Sequence, residues 1–197
     1  MDGGGVLSFD VLVVPEDPAN NGYILKPLVS RMLVACGKRN ARITVLSNPR
    51  SKGYEHAKGL LRNHLFESYR HMSLLLFLPD ADGKDRTSEF TALEEEASRK
   101  GVRLICCAAR EEVEVWPLVG YRDQLGRPWQ EIRADGSVKE NVFLPFLASH
   151  GNPKAPGGGR DLLMAETLKG YDALLRLCPE LAELERRIRE AVESQPI

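Results

Sequence analysis

Two stretches of the chain deliver carboxylates directly after apolar runs. Leu74-Leu75-Leu76-Phe77-Leu78-Pro79 leads into Asp80-Ala81-Asp82-Gly83, and Phe9-Asp10-Val11-Leu12-Val13-Val14-Pro15 leads into Glu16-Asp17. Continuous apolar runs of this length read as strands buried on both faces of a parallel sheet. Acids at the carboxyl ends of neighbouring strands meet in the crevice where open α/β sheets bind ligands. Converging carboxylates repel one another, and a divalent cation relieves that repulsion. Their oxygens are hard ligands that suit Mg2+ or Mn2+. Asp80 and Asp82 lie two apart, so both reach one pocket once the chain turns, and Gly83 permits the turn.

Further acids follow the fourth apolar run, in Arg110-Glu111-Glu112-Val113-Glu114. Glu114 is the candidate for a second metal ligand or for a base that orients water. In a two-metal arrangement one ion activates water and the other stabilises the leaving oxygen. Lys84, Arg86 and Arg110 flank the same edge and could clamp a phosphate. Arg50 and Lys52 belong to the turn-rich loop Asn48-Pro49-Arg50-Ser51-Lys52-Gly53 and are candidates for contacts to a substrate backbone. Arg160 follows Gly157-Gly158-Gly159, a run that reads equally as a phosphate nest or as a linker with Asp161 near a helix cap. Between Gly37 and Met72 stand eight basic residues and two acids. A basic face beside an acidic pocket suits a phosphodiester, although a solvated helix face is the plainer reading. The formal net charge of −1 argues neither for nor against nucleic acid. A lone D-x-D mostly marks a loop; Glu after strand one, D-x-D after strand three and Glu after strand four is a much rarer combination.

The elements that must position these groups alternate. Strands are expected over Phe9–Val14, Ile43–Leu46, Leu74–Leu78 and Val102–Cys106. Between them, helical periodicity runs from Leu25 to Cys36, over Tyr54–Ser68 and over Ser88–Lys100, with Gly37 and Gly101 as stops. The order βαβαβαβ with apolar strands predicts an α/β fold with a mainly parallel four-stranded sheet flanked by helices. Residues 6–120 would form this core. Residues 121–197 would add a hairpin over Trp129–Val138, turned at Asp135-Gly136, a short helix over Val142–Leu147, and the loop Gly151–Gly159. Two helices would follow, Arg160–Leu177 and Glu180–Val192, packed on the core. Met1–Gly5 reads as a disordered tail.

Other features carry less chemistry. Cys36, Cys106, Cys107 and Cys178 include an adjacent pair and no C-x-x-C, which points to free thiols in a reducing, cytoplasmic compartment. No secretory signal and no apolar stretch of membrane-spanning length is present, so no membrane partner is expected. His56, His64, His71 and His150 lack metal-ligand spacing and read as structural or surface groups. Trp116 and Trp129 read as core or interface, and Glu94-Glu95-Glu96 as a solvated helix face.

Glu16, Asp80 and Asp82 resemble the hallmark of the Toprim domain, a Glu after the first strand and a D-x-D after the third. That domain is shared by topoisomerases, bacterial primases, recombination proteins and nucleases of the OLD (overcoming lysogenisation defect) group. Glu114-Val115-Trp116, Gly158-Gly159-Arg160 and Leu177-Cys178-Pro179 are similar to a bacterial branch of uncharacterised Toprim proteins encoded beside AAA-type ATPases. The chain departs from the pattern in following Glu16 with Asp17-Pro18 rather than Gly, and in placing Pro15 and Pro79 before the acids. It also lacks zinc-ribbon cysteines and an ATPase motif.

The resemblance implies Mg2+- or Mn2+-dependent cleavage or transfer of phosphodiesters in DNA or RNA. It also implies a role in defence against mobile elements with an ATPase partner. The competing expectation is a non-catalytic docking or regulatory subunit of an ATPase. A receiver-like phosphoacceptor would need a lysine after a fifth strand, and no convincing one is present. Self-association is left open by the sequence.

Overall fold

The structure, a computed structural model, describes residues 8–194. The expected tail at Met1–Gly5 lies outside the described residues. Strands β1 (Asp10–Pro15), β2 (Arg42–Val45), β3 (Leu74–Leu78) and β4 (Leu104–Cys106) form one sheet in the order β2-β1-β3-β4. Every pairing is parallel, with Val11 opposite Ile43 on one side and opposite Leu74 on the other. Helix α1 (Gly22–Ala35) connects β1 to β2. Helix α2 (Tyr54–Leu60) continues through a π-helical segment, Leu61–Leu65, into α3 (Phe66–Ser68) and leads to β3. Helix α4 (Thr87–Arg99) connects β3 to β4.

The strands alternate between two apolar layers, as a period of two requires. Val11, Val13, Leu74, Leu76 and Ile105 pack against α1 and the C-terminal helices. Leu12, Val14, Leu75, Phe77 and Cys106 pack against α2, α3 and α4. Both faces of β3 are therefore dry, which explains its unbroken Leu-Leu-Leu-Phe-Leu. Truncating any one of these leucines to alanine would cost roughly 2–5 kcal/mol.

After β4 the regular elements among the described residues are all helices, joined by loops. Its elements are α5 (Val115–Leu118), α6 (Trp129–Arg133), α7 (Leu144–His150), α8 (Arg160–Thr167), α9 (Tyr171–Leu177) and α10 (Pro179–Glu193). A 3-10 turn, Val119–Gln124, follows α5, and a π-helical segment, Lys139–Phe143, precedes α7. Residues from this region share one continuous core with α1 and the sheet. Among the described residues no helix is long and apolar enough to cross a membrane.

Two expectations need correction. The hairpin over Trp129–Val138 is absent: its first half is α6, and no strand follows β4 among the described residues. Trp129 and Ile132 stand at helical rather than alternating spacing. Gly136 lacks the positive φ that an Asp-Gly hairpin turn requires, and Asp135 instead accepts the Ser137 N–H and bonds to Asn141 and Arg127. The single helix over Arg160–Leu177 is two, parted by a 3-10 turn at Leu168–Gly170.

Candidate functional site

Strand order reverses direction between β1 and β3, because β1 feeds β2 on one side and β3 feeds β4 on the other. Such a reversal leaves a crevice beyond the strand ends. Glu16 and the Asp80–Asp82 segment both emerge there. The Asp80 N–H donates to Glu16 Oε2 at 3.3 Å, so the acids after the first and third strands are neighbours. The β3 chain stays paired past its end: Ala81 N–H donates to the Ala109 carbonyl at 3.0 Å and Asp82 N–H to that of Glu111 at 3.2 Å. This lateral support holds the acidic segment rigidly over the sheet edge. Asp80 Oδ1 then accepts the Val113 N–H at 2.7 Å.

Asp82 differs from its neighbours. It stands in the left-handed region with φ 51°, followed by Gly83 at φ 67°, so the turn expected at Gly83 begins one residue earlier. Its side chain is 53% exposed, and its nearest cation is Arg86 Nη2 at 3.9 Å.

Arg86 is 8% exposed. Its guanidinium lies 3.7 Å from the centre of the Tyr54 ring, and Nη1 meets Glu89 Oε1 at 3.3 Å. Glu89 is held in turn by the Tyr54 hydroxyl at 3.1 Å and by Lys58 Nζ at 2.8 Å. The Arg86 Nε–H has no partner. Stacking and pairing thus fix a desolvated guanidinium plane beside Asp82 and Glu16, an arrangement suited to phosphate. Neither Tyr54 nor Glu89 stands out as a supporting residue in the sequence, since the pairing joins two different helices.

The opposite wall is the 48–53 loop. Ser51 is buried and donates to the Pro15 carbonyl at 2.8 Å, which pins the loop to the end of β1. Glu16, Asp17, Arg50, Ser51, Lys52 and Gly53 line a cleft of about 370 Å3. Arg50 and Lys52 therefore open onto the same crevice as Glu16. Asp17 is engaged locally: its carboxylate accepts the Ala19 N–H at 2.9 Å and the Asn20 side chain at 2.8 Å. These donors outweigh its burial and hold its pKa below the usual range.

Glu114 lies on the far side of Asp80 and is 0% exposed. Its cation is Lys139, whose Nζ stands 3.1 Å from Oε1. The Lys139 N–H donates to Glu112 Oε2 at 2.7 Å. Burial, and next the charges of Glu114, Glu16 and Glu112, push Asp80 up to about 8 despite the Val113 N–H. Burial and the Asp82 charge raise Glu16 too, against the opposing Asp80 and Tyr54 N–H groups and Arg86. Lys139 is raised: its desolvation is overcome by Glu114, Asp80 and Glu112. Burial and the neighbouring carboxylates therefore disfavour the ionised form of Asp80 even with Lys139 in place.

Other candidates fall elsewhere. Lys84 and Arg110 are exposed at the crevice rim. Arg160 is buried, donates from Nη1 to the Gly157 carbonyl at 2.9 Å and lies over the Phe143 ring; it makes no contact with the four acids. All three glycines before it take a positive φ, and two of them sit at close approaches. A Cβ on Gly157 would lie 2.4 Å from the Tyr23 ring, and one on Gly159 would lie 2.5 Å from the Asn152 nitrogen. Of the basic residues in the 38–70 stretch, Lys58, Arg62 and Arg70 pair with glutamates, which leaves a mixed surface instead of a uniformly basic face. Glu94 is no solvated residue: it accepts the Cys106 N–H at 2.7 Å and pairs with Arg187 at 2.8 Å. Trp116 is wholly buried, donating to Glu180 at 3.0 Å.

Among the described residues no three His, Cys, Asp or Glu side chains converge closely enough to hold a metal ion as they stand. The donor chemistry of Glu16, Asp80 and Asp82 nevertheless suits a hard cation. The exposed, weakly held Asp82 is the carboxylate with freedom to move inward. Comparison of the chain with protein-family models, with curated proteins and with solved structures gives no significant match.

Proposed function

We propose that the crevice between the ends of β1 and β3 is the active site of a metal-dependent phosphodiesterase acting on DNA or RNA. The observation that carries this reading is the 3.3 Å contact between the Asp80 N–H and Glu16. It joins two acids from separate strands at the one place where an open parallel sheet forms a ligand crevice. The environment there supports it: burial and the neighbouring carboxylates push Asp80 up to about 8, a cost to its ionised form that a bound cation would offset.

A divalent cation bound to Glu16, Asp80 and Asp82 would supply Lewis acidity toward a phosphoryl oxygen. The protein's own groups supply the rest. The guanidinium of Arg86, already ordered by its stacking on Tyr54, stands on the Asp82 side of the crevice, where its charge can stabilise a phosphate. Arg50 and Lys52 can receive neighbouring phosphates along the cleft. Glu16 would stand among the ligands, and burial and the Asp82 charge, which raise its pKa, are costs that a cation would offset. The Toprim resemblance in these same residues adds an associational argument in the same direction, and an ATPase partner belongs to that argument alone.

The test is cleavage of single- and double-stranded DNA and RNA by the purified protein with Mg2+ or Mn2+. Activity abolished by chelation, by Glu16→Ala and by Asp80→Ala supports the proposal. Robust cleavage by both variants overturns it.

A further inference from the structure

On the Glu114 side, the acidic crevice holds a cation of the protein's own, Lys139. Lys139 opens the π-helical segment Lys139–Phe143, and π segments within helices are frequent at functional sites. It is fastened at both ends. Its N–H is taken by Glu112 at 2.7 Å, and its ammonium stands 3.1 Å from Glu114 Oε1. Glu114 has no other partner: it is wholly buried, and no neutral donor is well aligned on either oxygen. Removing the ammonium would strand a buried charge, which proteins do not tolerate cheaply. In two-metal sites the ions stand about 3.5–4 Å apart and share carboxylates. An ion on Glu114 would compete with this ammonium for the same oxygen.

We infer that Lys139 takes the place of a second metal ion, so that the crevice accepts a single divalent cation, on Glu16, Asp80 and Asp82, and Glu114 is not a ligand. The inference rests on the proposed function for the location of that single ion. It sharpens the role of Glu114: a counter-charge that positions Lys139 beside Asp80. The geometry also makes the ammonium a fixed monovalent charge in a crevice where the other cation exchanges with solvent.

Manganese stoichiometry on the intact protein tests it, read by native mass spectrometry and titration calorimetry at neutral pH without nucleic acid. The wild type should bind one Mn2+ per chain. Lys139→Met should bind one more than the wild type, because Glu114 and Asp80 are then free to share an ion. Glu114→Gln should bind Mn2+ with wild-type stoichiometry and within about threefold of wild-type affinity. Since Glu114→Gln keeps the shape and removes the buried charge, it carries the test if Lys139→Met does not fold. Two Mn2+ on the wild type, no gain in Lys139→Met, or loss of Mn2+ in Glu114→Gln would each overturn the inference. No Mn2+ on the wild type but one on Lys139→Met would overturn the ligand assignment under the proposed function while keeping Lys139 as occupant of the Glu114 position. No Mn2+ on either protein would overturn both.

Discussion

The two halves of the acidic edge contain similar residues in opposite states. On one side, Glu112 and Glu114 both face a single lysine, one through its backbone N–H and the other through its ammonium. On the other, Glu16 and Asp80 share one N–H contact, and Asp82 faces solvent with its nearest cation at 3.9 Å. Residue type does not separate these halves. What separates them is whether the fold provides the compensating charge. A carboxylate whose counter-ion arrives on the same chain contributes to architecture, whereas one left undercompensated at a sheet reversal is available for chemistry.

The largest expected effect falls on the undercompensated half. Glu16→Ala and Asp80→Ala should each lower phosphodiester cleavage by roughly 10³-fold, the scale of removing a principal electrostatic contributor, with the thermal midpoint unchanged or raised because repulsion is relieved. A sharp loss of stability in both variants would instead place these acids with the architectural half.

The half that faces Lys139 should behave in reverse. Lys139→Met should destabilise the protein by about 3 kcal/mol in chemical denaturation, the low end for breaking a buried pair because the lysine is 26% exposed. Combining it with Glu114→Gln should recover most of that loss. Without recovery, the pair is not the unit described.

Stability against pH distinguishes the halves without mutating either. In the metal-free protein Asp80 titrates near 8, above its ordinary 3.8. The folded state therefore binds the proton more tightly than the unfolded state does. Its stabilising contribution is fully present below about pH 4 and is lost as pH rises to about 8. Unfolding at a series of pH values in chelator should show this decline, and Asp80→Asn should flatten it.

Two smaller effects concern the basic groups. Arg86→Lys should lose about 1–2 kcal/mol of stability, since an ammonium lacks the planar fork that covers the Tyr54 ring at 3.7 Å while pairing with Glu89, and should weaken cleavage several-fold. Lys52→Ala should leave stability untouched and reduce the salt slope of nucleic-acid binding by about one, as expected for one lost phosphate contact.

Much of the scaffold was readable in advance because the strands are extreme. Leu74–Leu78 is apolar on both faces, and a run of that kind between helical periods admits few other placements. The acids beside it were readable because position relative to a strand end survives small errors in boundaries. The supporting partners were not. Lys139 meets Glu114, and Tyr54 meets Glu89, only through tertiary packing, and nothing local marks either. Asp135-Gly136 misled because the dipeptide is a turn signal in any context; what decided the outcome was the spacing of Trp129 and Ile132 on a buried helical face. Gly157-Gly158-Gly159 misled similarly, since close approach to Tyr23 and phosphate binding demand the same missing Cβ.

The left-handed backbone at Asp82 has an evolutionary corollary. Few side chains tolerate that conformation, and Asn and Gly are chief among them. Drift at this position is therefore channelled toward residues that keep the bend and erase the charge. One nucleotide change from Asp to Asn would keep the architecture and remove one carboxylate from the crevice.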